Sequence, residues 1–365
     1  MSSSNSGKHN IVWLDALRVA ATVAVIVLHV SSQGWNAAVP GSSEWRIFNA
    51  FNACVRWGVP VFVMISGSLF LDPGKPVAAG TLWRKYIFRI FLTFCFWSAA
   101  YTLYAKWQNP SMQSIHLWNT FLQGKYHMWF LFLIVGLYAV TPLLRPVAKE
   151  KHTAAYFLAL AFFAAFVFST AADLADFYLP RSGNEDLSLI VSALRADWAK
   201  TYLFLPLGYT GYFMAGYTLR RWPPGRVLTA VILLLSAASF YVTARMAEVM
   251  TAASGEAVSF NSNFSLNVMF EALGVFVLFQ KLGAGRGSGQ ASCKAKIAGK
   301  LSQYSFGVYL VHVLFLELLR DVFGLHAADL PAALSVPVLT AGIALASLAV
   351  SAVLNAIPGL RGHIV

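Results

Sequence analysis

The chain has 365 residues, of which 58% are hydrophobic and only 12% charged, and its mean hydropathy is +0.62. No soluble domain carries such a surface, so the composition predicts an integral membrane protein. The formal net charge of +12 does not mark a nucleic-acid partner, because the basic residues form no block and stand between apolar runs of spanning length. Cys54, Cys95 and Cys293 have neither disulfide nor metal-ligand spacing. No disulfide framework, metal or permanently bound cofactor is expected.

Ten apolar runs follow in chain order, at 11–31, 47–71, 86–105, 127–147, 153–172, 201–219, 227–246, 263–283, 302–323 and 334–357. They predict one membrane-embedded domain over 1–365, an all-α bundle of about ten transmembrane helices with both termini cytoplasmic. With the amino terminus inside, Lys and Arg favour the inner segments by roughly two to one. Acids lie mostly outside, with Asp173, Asp176, Glu185, Asp186 and Asp197 in one segment. That leaves a positive cytoplasmic face, which draws anionic ligands. The first run is too long for a signal-peptide core and is read as a retained anchor. Two connections are long: 171–200 outside, placed to cover a cavity mouth, and the Gly- and Lys-rich 283–300 inside, read as a flexible linker. The linker's glycines do not form a G-x-x-x-x-G-K-[ST] phosphate loop.

The first run, IVWLDALRVAATVAVIVLHVSS, contains three ionisable residues, Asp15, Arg18 and His29. Twenty residues from Ile11 to Val30 suffice to cross the hydrocarbon core at about 1.5 Å each. On a helix Arg18 and His29 fall about 20° apart in azimuth, with Asp15 roughly 60° from Arg18. Charge inside a membrane is costly unless paired or wetted, so this face is expected to look into a polar cavity. His29 lies roughly 16 Å beyond Arg18, at the outer mouth of the path. A histidine there is a candidate general base, while Arg18 suits a phosphate or carboxylate. Asp15 either orients Arg18 or is its plain ion-pair partner.

In the second run Arg56 either snorkels to the headgroups or lines the cavity of His29, and Ser66 and Gly67 suit close helix packing. The third opens with LWRKYIFRI, whose Arg84, Lys85 and Arg89 converge on the inner mouth and suit a polyphosphate-bearing ligand. KYHMWFLF places His127 and Trp129 at the depth of His29. Glu271 falls in the eighth run. The ninth carries Ser305, Tyr309 and His312 at helical spacing, with His312 near mid-membrane and Glu317 about 140° around from it.

These residues lead to a resemblance. The Arg18 and His29 pair inside LDALRVAATVAVIVLHV, VPVFVMISGSLF with Arg56 just before it, YHMWFLFLIVGLYAVTPLL and YSFGVYLVH resemble, in order and over nearly the whole chain, the acyltransferase-3 family of bacterial inner-membrane acyltransferases. Within it the chain is similar to the shorter members exemplified by the enterobacterial common antigen O-acetyltransferase subgroup. The resemblance implies transfer of an acyl group, most often acetyl, from cytosolic acyl-CoA (acetyl-CoA) to a hydroxyl of a surface-polysaccharide or lipid-linked sugar. By the same resemblance His29 and Arg18 correspond to the family's essential histidine and arginine. Arg84, Lys85 and Arg89 then serve the CoA phosphates, and Arg56, His127, Trp129, Tyr309, His312 and Glu317 the acceptor or cavity. Many members continue the basic segment into a proline-containing run, whereas this chain reads RIFLTFCFW. The expected partners are acyl-CoA, a sugar or glycolipid acceptor and the lipid bilayer, with no nucleic acid; the oligomeric state, acceptor identity and acyl length are not legible. The competing class is a membrane transporter or exporter of a small polar metabolite, which paired broken helices in two halves would signal.

Overall fold

Apolar runs this long can satisfy their backbone in a membrane only by closing it into helices. The computed structural model of the chain describes residues 4–74, 77–284, 293–360 and 364, and among these there is helix and no strand. Its helices are α1 (Ser4–Ala37), α2 (Ser43–Ala53), α3 (Gly58–Phe70), a short turn α4 (Ala79–Thr81), α5 (Phe88–Gln108), α6 (Ser114–Gln123), α7 (Trp129–Lys149) and α8 (Lys151–Ala161). They continue with α9 (Phe168–Ser182), α10 (Glu185–Ala199), α11 (Phe204–Arg221), α12 (Arg226–Ser254), α13 (Leu266–Ala284), α14 (Cys293–Asp321) and α15 (Ala332–Ala356). Among the described residues nine helical stretches are long and apolar enough to cross a membrane. The protein is an all-α, polytopic membrane protein. Large apolar side chains such as Phe91, Leu103, Leu143, Phe163, Leu234 and Leu345 stand exposed on its perimeter, as lipid contact requires.

The sixth expected span, α11, is not one of the nine, because its tyrosines, glycines and terminal arginines dilute it. It is instead packed into the core against α3. Gly67 and Gly216 make that contact possible: a Cβ on Gly67 would lie 1.8 Å from the Phe213 carbonyl oxygen, and one on Gly216 2.0 Å from that of Met64. Small residues that let two backbones touch are a common device of membrane helix packing. The Gly67 reading as packing therefore holds.

α1 is the central element, touching α2, α3, α13, α14 and α15. It is longer than expected. Eight residues follow His29, about 12 Å of helix, so His29 lies two turns inside rather than at the helix end. The extension is stabilised laterally: Asn52 donates to Ser32 Oγ (2.8 Å) and Ser31 Oγ (3.3 Å), and Gly34 lies against the Phe48 ring.

Three connections differ from the sequence expectation. The second span is broken, since α2 and α3 are separated by the turn 54–57 that carries Arg56. The segment 171–200, expected as a long loop, is the end of α9 and all of α10. Gly183 closes α9 in the left-handed conformation (φ 69°), and the Asn184 side chain caps α10 by accepting from the Leu187 amide. The expected linker 283–300 is helical from Cys293 onward, and 285–292 lie outside the described residues.

Candidate functional site

Two ends of the bundle are distinguished here by the ends of α1, the Arg18 end and the His29 end. At the Arg18 end, α1, α3, α5, α7 and α14 enclose a cavity of about 280 Å3. Arg18, Ser66, Tyr86, Arg89, Tyr138 and Tyr309 line it, with Phe62, Phe130 and Phe306 supplying apolar wall. Arg18 is held from two sides. Its Nη1 donates to Ser302 Oγ (2.9 Å) and lies 3.6 Å from Asp15 Oδ1, while the Ser302 hydroxyl donates to that same carboxylate oxygen (2.8 Å). One serine on α14 thus fixes the geometry of an i, i+3 ion pair on α1, and Asp15 acts on Arg18 as its partner.

The three basic residues of LWRKYIFRI separate. Arg84 and Lys85 are exposed on a π-helical turn, Leu82–Ile87, whereas Arg89 reaches into the cavity, its guanidinium carbon 5.8 Å from the centre of the Phe306 ring. The π turn occupies the start of a segment that has no proline, and α5 runs on regularly from Phe88. Beyond α3 the carbonyl end of the helix is capped by further cations, with Arg145 donating to Phe70 O (3.0 and 2.8 Å) and Arg220 to Ser68 O (2.8 Å).

Tyr309 lies between this cavity and a histidine cluster. Its ring packs 5.5 Å from His127 and 5.9 Å from His312, and its hydroxyl donates to the His127 carbonyl. His312 lies 5.1 Å from His29 and 5.3 Å from His127, centroid to centroid. Tyr126 closes the group at 5.3 Å from His29. The three spans that carry these rings are far apart in sequence, and the bundle brings all three histidines together. His312, expected nearer mid-membrane than His29, is level with it, because α1 and α14 run side by side from the Ser302 contact onward.

The hydrogen bonds assign tautomers. His312 Nδ1 meets the Tyr309 carbonyl oxygen (2.6 Å), which only accepts, so Nδ1 carries the proton and Nε2 presents a lone pair. His127 Nε2 meets the Leu310 carbonyl (3.3 Å) in the same way and leaves Nδ1 as the acceptor. Among the described residues neither exposed lone pair has a partner, although His312 is only 1% and His127 2% accessible. A buried ring nitrogen of this kind is free to accept a hydrogen bond from a ligand or a neighbouring group.

Arg56 lies at the His29 end, in the break between α2 and α3. Its Nε donates to Asn52 Oδ1 (2.7 Å), and the amide of Asn261, oriented to accept, receives its Nη2 at 2.7 Å. Since Asn52 also holds Ser31 and Ser32, Arg56 joins a polar network that begins two residues after His29, and it is neither a lipid-snorkelling residue nor part of the Arg18 cavity lining. Trp129 is not brought to the cluster; its ring faces Tyr209 of α11 at 5.9 Å and is partly exposed. Glu317 is also apart from His312. It pairs with Lys125 in a second hollow beyond the cluster, as its azimuth on α14 implied.

The residues missed from the sequence are Ser302, Tyr126, Tyr86, Tyr138 and Tyr101. Two had a readable signal: Ser302 extends the Ser305, Tyr309, His312 stripe by one more turn, and Tyr126 directly precedes His127. Tyr86, Tyr138 and Tyr101 come from other spans, and only the packing of the bundle selects them.

Residues 11–356 match the family model described as an acyltransferase domain, Acyl_transf_3. No curated protein and no solved structure matches the chain.

Proposed function

As a member of the acyltransferase-3 family the chain is a multi-pass membrane acyltransferase, and from that premise we propose that it moves an acyl group, acetyl in the simplest case, from cytosolic acyl-CoA to a sugar hydroxyl presented at the opposite face. The Arg18 end then faces the cytoplasm of a bacterial inner membrane, in keeping with the basic bias of those segments. The observation that carries the reading is the position of Tyr309, which lines the Arg18 and Arg89 cavity and also packs against His127 and His312. A donor that is anionic at one end and reactive at the other needs this order of cations first and proton acceptor last.

In this reading Arg84 and Lys85 meet the nucleotide phosphates at the surface, and Arg89 and Arg18 hold the arm as it enters. The thioester comes to rest beyond Tyr309, beside His29. His29 takes the proton of the acceptor O–H as the oxygen attacks the thioester carbonyl, the C–O bond forms, and the C–S bond breaks as the tetrahedral intermediate collapses. The imidazolium returns its proton to the departing sulfur, which leaves as the CoA thiol. His312 offers its Nε2 lone pair next to His29 and serves as the neighbouring station for that proton. CoA supplies the activated bond, and the protein supplies position and proton transfer.

The test is the O-acyl content of extracted glycolipids and polysaccharides, by mass spectrometry, in cells making wild type or His29→Ala at equal membrane levels. An acyl mass increment present with wild type and lost with His29→Ala is expected. Survival of the increment in the variant overturns the role of His29, and its absence with wild type overturns glycan acylation.

A further inference from the structure

We propose that the hollow at the His29 end between α5, the residues after α6 and the end of α14 is the acceptor subsite, and that it takes one neutral, hydroxyl-rich ring, an unphosphorylated sugar residue. The inference rests on the acyl-transfer reading and names where, and for what class of alcohol, that reaction is completed.

Position is the first argument. The hollow, about 280 Å3 in volume, reaches the histidines through two tyrosines. Tyr101 lines it and packs 5.6 Å from His127, while Tyr126, which follows Lys125 of the hollow's wall, packs 5.3 Å from His29. The other hollow at this end, lined by Asp173, Asp176 and Arg181, also contains Asn261, which is linked to α1 through Arg56 and Asn52.

Chemistry is the second. Every charge in the hollow is balanced: Lys125 pairs with Glu317, and Arg320 Nε donates to Asp321 Oδ1 (2.6 Å). A chain of neutral groups extends from there. Gln108 Nε2 donates to the Tyr104 hydroxyl (2.8 Å), which donates to Asp321 Oδ2 (3.0 Å). Donors and acceptors therefore alternate around the rim. A sugar hydroxyl both donates and accepts, so each one finds both kinds of partner there. A phosphate only accepts, and would be pressed against two carboxylates, one of them the 7% accessible Glu317. The Tyr104 ring packed 5.8 Å from Trp107 adds the flat apolar edge that suits the C–H face of a pyranose.

The experiment uses membranes containing the full chain, radiolabelled acetyl-CoA, and graded amounts of the glycolipid and polysaccharide fraction extracted from the native cell as acceptor. Wild type, Tyr104→Ala with Asp321→Asn, the milder Tyr104→Phe that keeps the ring against Trp107, and Asp176→Asn in the other hollow are compared at equal folded protein. Losing two hydrogen-bonding groups raises the half-saturating amount of acceptor by about tenfold in the double variant. Tyr104→Phe shifts it a few-fold in the same direction. Half-saturation for acetyl-CoA and the rate at saturating acceptor stay at the wild-type values, and Asp176→Asn changes nothing. Treating the acceptor fraction with a phosphatase leaves labelling intact. If wild type labels the fraction but the Tyr104 and Asp321 variants keep its half-saturation, or if Asp176→Asn moves it instead, the subsite is overturned while acyl transfer stands. Labelling lost after phosphatase overturns the neutral class. No labelling by wild type overturns the acyl-transfer reading and the subsite with it.

Discussion

The two hollows on either side of the histidine cluster have the same volume, about 280 Å3, and opposite electrostatic designs. The one at the Arg18 end presents two guanidinium groups and, among the described residues, no carboxylate in its lining; Asp15 pairs with Arg18 at 3.6 Å without lining it. The one at the His29 end carries as many acids as bases, already paired with one another. Guanidinium groups lining a low-dielectric wall with no lining acid attract an anionic ligand, whereas lining acids and bases that already pair with one another leave no net charge for one. The first therefore suits a polyanion and the second a neutral alcohol. If that contrast is functional, substitutions should sort by end, donor dependence moving at one and acceptor dependence at the other.

The largest expected effect falls between the two hollows. His29→Ala removes the proton acceptor and lowers transfer by about 10²–10⁴-fold, with acyl-CoA binding to detergent-solubilised protein unchanged by equilibrium dialysis. A variant that also loses donor binding would mean that His29 belongs to the Arg18 cavity, and the contrast would fail. Arg18→Lys comes next. It keeps the charge but replaces a fork that can meet Ser302 and a donor phosphate or carbonyl together with a single ammonium. Half-saturation for acyl-CoA should rise by about tenfold, the worth of one charge-assisted hydrogen bond, with acceptor half-saturation unmoved in the same labelling assay.

At the other end the balanced pair gives a stability prediction. Lys125→Met leaves Glu317, 7% accessible, without its counter-ion, while Lys125→Met with Glu317→Met removes both charges. Breaking a buried pair from one side costs more than deleting it. Because the Lys125 side chain keeps 29% exposure, the single variant is expected to lose only about 1–2 kcal/mol. The double variant should unfold at a higher temperature than the single one in a detergent thermal ramp. The reverse order would show that the pair is not electrostatically closed.

The architecture was legible because apolar run length and charge placement are local properties: among the described residues nine of the ten expected runs correspond to long apolar helical stretches. What was not legible depended on packing. The helical face of Arg18 and His29 predicted a cavity, but the position of Tyr309 and the junction of His29 with His127 and His312 require three helices to be placed in three dimensions. The break at Arg56 was hidden for another reason. Its sequence, ACVRWGVP, is apolar enough to continue a span, and the proline follows the turn, at the third position of α3, where a missing amide costs nothing. Segment 171–200 was misjudged because its five acids interrupt the apolar residues, while Gly183 and Asn184, a stop and a cap in adjacent positions, carry the helical signal.

The smallest effect discriminates most finely. Ser302 touches no ligand in the proposed reaction; it accepts from Arg18 and donates to Asp15, and Ser302→Ala removes both bonds and leaves the direct 3.6 Å ion pair in place. Each hydrogen bond is worth about 0.5–1.5 kcal/mol. The Arg18 and Asp15 side chains keep 31% and 21% exposure, so water replaces part of what is lost and the low end of that range applies. Half-saturation for acyl-CoA should therefore rise only about two- to fivefold, acceptor half-saturation should not move, and Ser302→Thr, which restores the hydroxyl, should recover most of the loss. An effect as large as that of Arg18→Lys would mean that the hydroxyl itself contacts the donor. No effect at all would mean that the ion pair holds Arg18 unaided, leaving the cationic hollow organised by α1 alone.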